Sequence, residues 1–152
     1  MRPELVVPVI LLALVISCAP AQSATPASSP PPAASATDQR CALVEVAARI
    51  PAEVRTAIAA ARRGDSPGSQ AAMQRAASAA SELQREVDAM SGRLAVTSRA
   101  RFVSAEAFAQ QADTLFLAAA PALPNADALL ELDRGLAQVE SLLAGVAAPC
   151  SS

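Results

Sequence analysis

The residues of this chain that could do chemistry are chiefly its three cysteines, Cys18, Cys41 and Cys150. A cysteine can be acylated, oxidised to a disulfide, or used as a nucleophile or metal ligand. Histidine, the commonest metal ligand and general base, is absent from the sequence. The sequence also lacks a glycine-rich phosphate-binding loop and the Cys-x-x-Cys-His pattern of haem attachment. The surroundings of each cysteine therefore decide which chemistry is favoured.

Cys18 follows a short apolar segment. The segment runs from Leu5 to Ile16, is preceded by Arg2, and gives way after Cys18 to Ala, Pro and Ser. As a helix it would span about 18 Å, which is short for a hydrocarbon core of about 30 Å. A charged start, an apolar centre and a small residue before the break are typical of a secretory signal.

The run Val15-Ile16-Ser17-Cys18 resembles the lipobox of bacterial lipoproteins. The resemblance covers residues 1–18 and implies that residues 1–17 are a signal peptide. It also implies that Cys18 is lipidated, with fatty acids such as palmitate, and becomes the first mature residue. The implied location is the bacterial cell envelope, which in a Gram-negative host means the outer membrane facing the periplasm. An ordinary cleaved signal and an uncleaved anchor are the alternatives.

Residues 18–37 are predicted to be a tether. Residues 19–37 contain no large apolar side chain and include Pro30-Pro31-Pro32. Such a segment buries too little to offset the entropy of ordering, so we expect a disordered Pro/Ala/Ser linker that begins at Cys18. The folded domain is then predicted to be residues 38–152.

Beyond residue 38 the apolar residues recur with helical spacing. The pattern predicts helices at about 39–63, 67–91, 98–119 and 126–147, with no competing strand pattern. Short connections between amphipathic helices indicate an all-α fold, an antiparallel up-down four-helix bundle. Pro51 should kink the first helix or divide it at Ile50.

The predicted helix ends and core follow from residue types. Gly64 should stop the first helix, Ser66 should cap the second ahead of Pro67, Thr97 or Ser98 should cap the third, and Asn125 should begin the fourth. The apolar stripes predict a core formed by Leu43, Val46 or Ala47, Ile50, Val54, Ala57 or Ile58, Ala61, Met73, Ala77, Ala80, Leu83, Val87, Met90, Leu94, Phe102, Ala105, Phe108 or Ala109, Ala112, Leu115 or Phe116, Ala119, Leu129, Leu132, Leu136, Val139, Leu143 and Val146.

The other two cysteines bracket the predicted bundle. In an up-down bundle, the start of the first helix and the end of the fourth lie at the same end. Cys41 and Cys150 should therefore meet and, in an exported domain, form one disulfide. Two free, buried thiols are the alternative.

Composition disfavours other chemistry. The formal net charge of −2 supplies no basic surface for nucleic acid. The acidic residues are interpreted as solvent-facing, with Glu45, Arg49 and Glu53 forming one-turn surface pairs. An enzyme would need Glu106 or Asp113 to be buried beside another acid. We expect no cofactor, no metal and no catalytic activity.

The segment Arg63-Gly64-Asp65-Ser66-Pro67 resembles the integrin-binding loop of fibronectin. Each of these residues also suits a helix–turn–helix connection, and we interpret the segment as turn chemistry. In an up-down bundle the connections 63–68 and 120–125 lie opposite the cysteine end. Arg63, Asp65, Pro121 and Pro124 are therefore candidate partner-facing residues.

The sequence thus predicts a non-enzymatic envelope lipoprotein that acts as an interaction or structural module. Its expected partners are the membrane, through the lipid anchor, and an envelope protein; the oligomeric state stays open. The alternative is a carrier of a small apolar ligand, with Phe102, Phe108 and Phe116 lining a cavity in the bundle core. An internal void above roughly 300 Å³ would favour the carrier.

Overall fold

A computed structural model describes residues 35–120 and 122–150 of the chain. This part consists of four helices, α1 (Ala36–Arg62), α2 (Ser66–Ala89), α3 (Val96–Ala119) and α4 (Ala126–Ala147), and a final 3-10 turn, Ala148–Cys150. The described residues contain no strand, so the all-α prediction is confirmed. The predicted signal peptide, Cys18, residues 18–34 of the predicted tether, and Pro121 lie outside the described residues.

Helix α1 begins earlier than the pattern of apolar residues indicated. The Ser35 side chain accepts a hydrogen bond from the Asp38 backbone N–H at 3.1 Å. The Asp38 carboxylate in turn accepts one from the Ser35 backbone N–H, also at 3.1 Å. This reciprocal capping box satisfies two backbone donors at the helix start. As a result, Ala36 and Thr37, predicted to belong to the tether, are helical.

Pro51 lies inside α1 without ending it. The helix is continuous from Ala36 to Arg62, so the alternative of two short helices joined at Ile50 is wrong. Proline has no N–H to donate to the carbonyl one turn earlier, which makes it costly in the interior of a helix. Here its ring is buried, so apolar contact compensates part of that cost.

Backbone conformation and capping define the connections between the helices. Gly64 has φ +75°, the left-handed conformation that ends many helices. Asp65, and not Ser66 as predicted, caps α2. Ala95 precedes α3 without a side-chain cap, so the prediction of Thr97 or Ser98 is wrong. Asn125 caps α4 as predicted and accepts the Ala128 N–H at 2.9 Å.

Each helix packs against two main neighbours: α1 and α3 each contact both α2 and α4, and α1 also touches α3. Ion pairs join α1 to its neighbours. The pairs are Arg49–Glu82 and Glu53–Arg75 with α2, and Arg55–Glu140 and Arg62–Asp133 with α4. In both interfaces, residues later in α1 pair with residues earlier in the partner helix.

Most of the predicted core is buried. Phe102, Leu83 and Ile50 are completely excluded from solvent, and all six predicted positions of α4 are buried. The exceptions are Ala77, Leu94 and Ala119, which are only half-buried. Leu94 precedes α3 and Ala119 is the last residue of that helix, where the core ends.

The contact between α1 and α2 is the most extensive one between helices. Both helices bury many alanines: Ala47, Ala57, Ala60 and Ala61 on α1, and Ala72, Ala76, Ala79 and Ala80 on α2. Small side chains let two helix axes approach closely, because interaxial distance depends on the side chains at the contact. All four helices also supply larger core residues, among them Ile50 of α1, Leu83 of α2, Phe102 of α3 and Leu132 of α4.

Gly64 and Gly92 provide a matched test of the backbone conformation. A Cβ added at either position would meet no atom within 4 Å, but only Gly64 has a positive φ. We expect Gly64→Ala to lower the free energy of unfolding by about 1 kcal/mol, since the left-handed conformation is unfavourable for alanine. Gly92→Ala should leave stability unchanged or slightly higher. Urea unfolding of both variants checks this, and equal effects would contradict it.

Candidate functional site

The structure brings Cys41 and Cys150 together at one end of the helices. Cys41 lies in the second turn of α1, and Cys150 closes the 3-10 turn that follows α4. Their Cα atoms are 5.5 Å apart, with the sulfur atoms at disulfide distance. This Cα separation falls within the usual range for a disulfide. The predicted meeting of these two cysteines is therefore confirmed, although they are 109 residues apart in sequence.

The capping box at the start of α1 lies beside this pair. Besides the backbone contacts, the Ser35 hydroxyl donates to the Asp38 carboxylate at 2.7 Å. This hydrogen bond, together with the one from the Ser35 backbone N–H, lowers the pKa of Asp38 below its ordinary value of 3.8. The negative charge also complements the N-terminal dipole of α1. The point where the chain enters the helical domain is thus held by its own polar residues.

The connection between α1 and α2 holds the Arg-Gly-Asp segment. Arg63 and Asp65 are both exposed, but the Asp65 carboxylate accepts the Gly68 backbone N–H at 2.9 Å. A Cβ at position 68 would lie 2.0 Å from an Asp65 carboxylate oxygen, so a larger residue there would displace the capping carboxylate. Asp65 thus acts as the cap of α2, in agreement with the interpretation of this segment as turn chemistry.

The connection at residues 120–125 was the second one expected to face a partner. Pro124 is buried, so the expectation that it faces a partner is wrong. It lies directly before Asn125, the cap of α4. Pro121, the other candidate in this loop, lies outside the described residues.

The acidic side chains of α1 do not form the predicted one-turn pairs with Arg49. Arg49 instead binds Glu82 on α2 at 2.6 Å, and Glu53 binds Arg75 on α2 at 2.9 Å. Asp133 and Glu140, expected to face solvent, are half-buried and pair with Arg62 and Arg55 of α1. Exposed pairs of this kind stabilise weakly, each by about 0–1 kcal/mol. They lie along the two interfaces that α1 forms with α2 and α4.

The hypothesis of an enzyme required Glu106 or Asp113 to be buried beside another acid. Both are half-buried and line a shallow groove between α2 and α3, together with Ser81 and Gln84. Glu106 accepts a hydrogen bond from Gln110 at 3.3 Å. Within the described ranges, no three His, Cys, Asp or Glu residues are arranged to hold a metal ion.

Five grooves between the helices bear on the carrier hypothesis. Their volumes run from about 120 to 280 Å³, and they open to solvent. Pockets that enclose a small ligand are typically 300–1,000 Å³. Phe102, Phe108 and Phe116 are buried against other core residues.

The sequence analysis did not predict a structural role for Gly135. A Cβ at this position would come within 2.7 Å of the Phe108 ring. Glycine on α4 therefore lets a large side chain of α3 lie against the α4 backbone. The only sequence signal is a glycine inside a strongly apolar helical pattern, which is otherwise unfavourable by roughly 1 kcal/mol.

Comparisons with known proteins found no matching family model, curated protein or solved structure for this chain. Across residues 35–120 and 122–150, no helix has both the length and the hydropathy needed to cross a membrane.

Removing the cysteine pair should destabilise the domain. A cross-link over a loop of this length restricts the unfolded chain, and the chain-entropy model gives about 4–5 kcal/mol. We expect the double variant Cys41→Ser/Cys150→Ser to lose stability of this order in urea unfolding, and reductant to bring the unmodified protein to the same midpoint. If neither the substitutions nor reductant change the midpoint, no disulfide closes the domain.

The Asp38 carboxyl should give a pH-dependent contribution to stability. Because its folded pKa is lowered, the contribution is complete above the unfolded pKa and is lost as pH falls through the folded pKa. We expect the stability difference between the parent and Asp38→Asn to be constant above about pH 5 and to shrink in acid. NMR titration of the carboxyl checks the cause, since Ser35→Ala should raise its pKa. Titration at or above 3.8 in the parent protein would contradict this account.

Proposed function

We propose that this protein is a bacterial envelope lipoprotein whose helical domain acts as a non-enzymatic interaction or structural module. The proposal rests on the division of the three cysteines. Cys18 ends a lipobox-like segment, while Cys41 and Cys150 lie together with Cα atoms 5.5 Å apart. One cysteine then serves as the lipid anchor and two as a disulfide clasp, which leaves no thiol for catalysis.

The same proposal includes an up-down antiparallel bundle closed by that disulfide. Opposite directions of pairing between α1 and α2, and between α1 and α4, support it. The pairing of α3 with α4 has the same sense, since Gln111 contacts Glu131 while Phe108 lies against Gly135. Connections of only a few residues between consecutive helices also favour this topology.

This topology would orient the domain relative to the membrane. The chain enters α1 at Ala36, close to the cysteine pair, so a tether starting at Cys18 would arrive at that end. The connection with Arg63 and Asp65 would then face away from the membrane. Since Asp65 is engaged as a helix cap, the exposed guanidinium of Arg63 is the group most available to an envelope partner.

The carrier is the less favoured function. The grooves open to solvent, and α1 and α2 bury many alanines whose small side chains allow close packing. Close helix packing of this kind leaves little room for a ligand in the bundle core. We therefore place the activity of the domain on its surface.

Lipidation of Cys18 tests the proposal directly. In a bacterial host grown with a labelled fatty acid, the parent chain and Ser17→Ala should both incorporate label, because both keep a small residue before the cysteine. Cys18→Ala should incorporate none. Mass spectrometry of the mature N-terminus should find lipidated Cys18. A mature protein that starts elsewhere and carries no lipid would overturn the proposal.

A further inference from the structure

Two stretches of the helical domain contain three arginines and no acidic residue, residues 54–64 and residues 89–105. In the first stretch, Arg55 and Arg62 form ion pairs with acids of α4. Arg63 is then the only arginine there that has no acidic partner among the described residues. The second stretch spans the connection from α2 to α3, and we name residues 89–105 the basic segment.

The basic segment keeps most of its positive charge. Its arginines are Arg93, Arg99 and Arg101. Arg99 lies 3.8 Å from Asp88, the longest ion pair of the described chain. Arg93 is exposed and Arg101 is half-buried, and neither forms an ion pair with a described residue. The segment is therefore locally positive, although the chain as a whole carries a formal charge of −2.

Contacts place the basic segment at the cysteine end of the helices. A Cβ on Gly145 would collide with the Arg101 guanidinium, so the start of α3 lies beside the last turn of α4. Cys150 ends the 3-10 turn after α4 and meets Cys41 near the start of α1. Residues 1–34 therefore join the helical domain at the same end as the basic segment.

The basic segment also exposes apolar surface. Val96 begins α3 and is 84% exposed, more than any other large apolar residue of the described chain. An exposed valine among arginines suits a phospholipid surface. Guanidinium groups bind phosphate, and the boundary between headgroups and acyl chains accepts an apolar side chain.

We propose that the basic segment lies on the anionic phospholipids of the membrane that carries the lipid anchor, with Arg93 at the phosphate groups and Val96 in the interface. This inference rests on the proposed function, because the anchor would hold the cysteine end of the domain near the bilayer. Each arginine near an anionic surface strengthens binding about fivefold. Tethering raises the effective concentration of the segment at the membrane, so a contact of this strength is sufficient.

The acidic residues of the domain do not cancel this attraction. Asp38 and Glu86 lie at the same end, where Arg40 and Arg85, close to them in sequence, offset their charge. Other acids, such as Asp127 in the first turn of α4, lie at the opposite end. A helix the length of α3 spans about 36 Å, whereas the Debye length at physiological ionic strength is about 8 Å. A membrane at the cysteine end therefore experiences the local positive charge.

A fluorophore at position 96 tests the contact with the full chain. The mature protein is purified from a bacterial host, labelled at Val96→Cys with an environment-sensitive maleimide dye, and reconstituted into phosphatidylcholine vesicles with or without phosphatidylglycerol. Leu117→Cys is the matched control, because Leu117 is 67% exposed on the same helix and roughly 30 Å away. Phosphatidylglycerol should raise the emission at position 96 at least about threefold and leave position 117 unchanged. About 1 M salt should abolish the increase, since the Debye length is then about 3 Å.

Arginine substitution supplies a second matched pair. Arg93 and Arg63 are both exposed, precede helices at opposite ends of the domain, and form no ion pair with a described residue. In the labelled Val96→Cys protein, Arg93→Gln should lower the docking equilibrium constant obtained from the emission about fivefold. Arg63→Gln should leave it unchanged. Urea unfolding of both variants checks that the fold is kept.

The other outcomes contradict the inference. Equal responses at positions 96 and 117, no dependence on phosphatidylglycerol, or equal effects of the two arginine substitutions would overturn it. A response that survives high salt would indicate apolar contact without recognition of charge, and would overturn it as well. Mass spectrometry of the mature N-terminus in the same samples separates this inference from the proposed function. Lipidated protein without a response at position 96 refutes only the surface contact, whereas protein without lipid refutes the anchor, and the inference falls with it.

Discussion

Close contact between the alanine-rich faces of α1 and α2 is the constraint on which the rest of the domain depends. Alanine loses no side-chain entropy on burial and favours helix formation, but each one buries little apolar area. Two alanine faces therefore stabilise a domain only if the helices approach closely and the remaining faces carry larger residues. All four helices contribute such residues, and α4 alone buries four leucines and two valines along its length.

Residue size also governs the packing between α3 and α4. Phe108 packs against α4 at Gly135, where any larger residue would collide with its ring. Across the bundle, the arginines of α1 reach acids on both neighbouring helices. Such pairs contribute little free energy, but a wrong alignment would leave like charges opposed. Packing thus supplies most of the stability, and the ion pairs are compatible with the faces that packing brings together.

The ion pairs are distributed unevenly among the four helices. Four of the five ion pairs of the described chain involve α1, and α3 contributes only Arg99 to the fifth. These pairs place charged side chains along both interfaces of α1. The exposed face of α3 carries valine, alanine and leucine, with Val96, Val103 and Leu117 among its exposed residues.

The sequence by itself determined the helices, most of the core and the meeting of Cys41 with Cys150. These follow from periodicity, from Gly64 and Asn125 at helix ends, and from the short connections, all of which are local signals. Only the tertiary structure decided the partner of Arg49, the burial of Pro124, the need for glycine at position 135 and the exposure of the valines on the outer face of α3. Each of these depends on which faces of distant helices meet. A stripe of valine and alanine has the same periodicity whether it faces a neighbouring helix or water, because spacing specifies a face and only packing specifies what covers it.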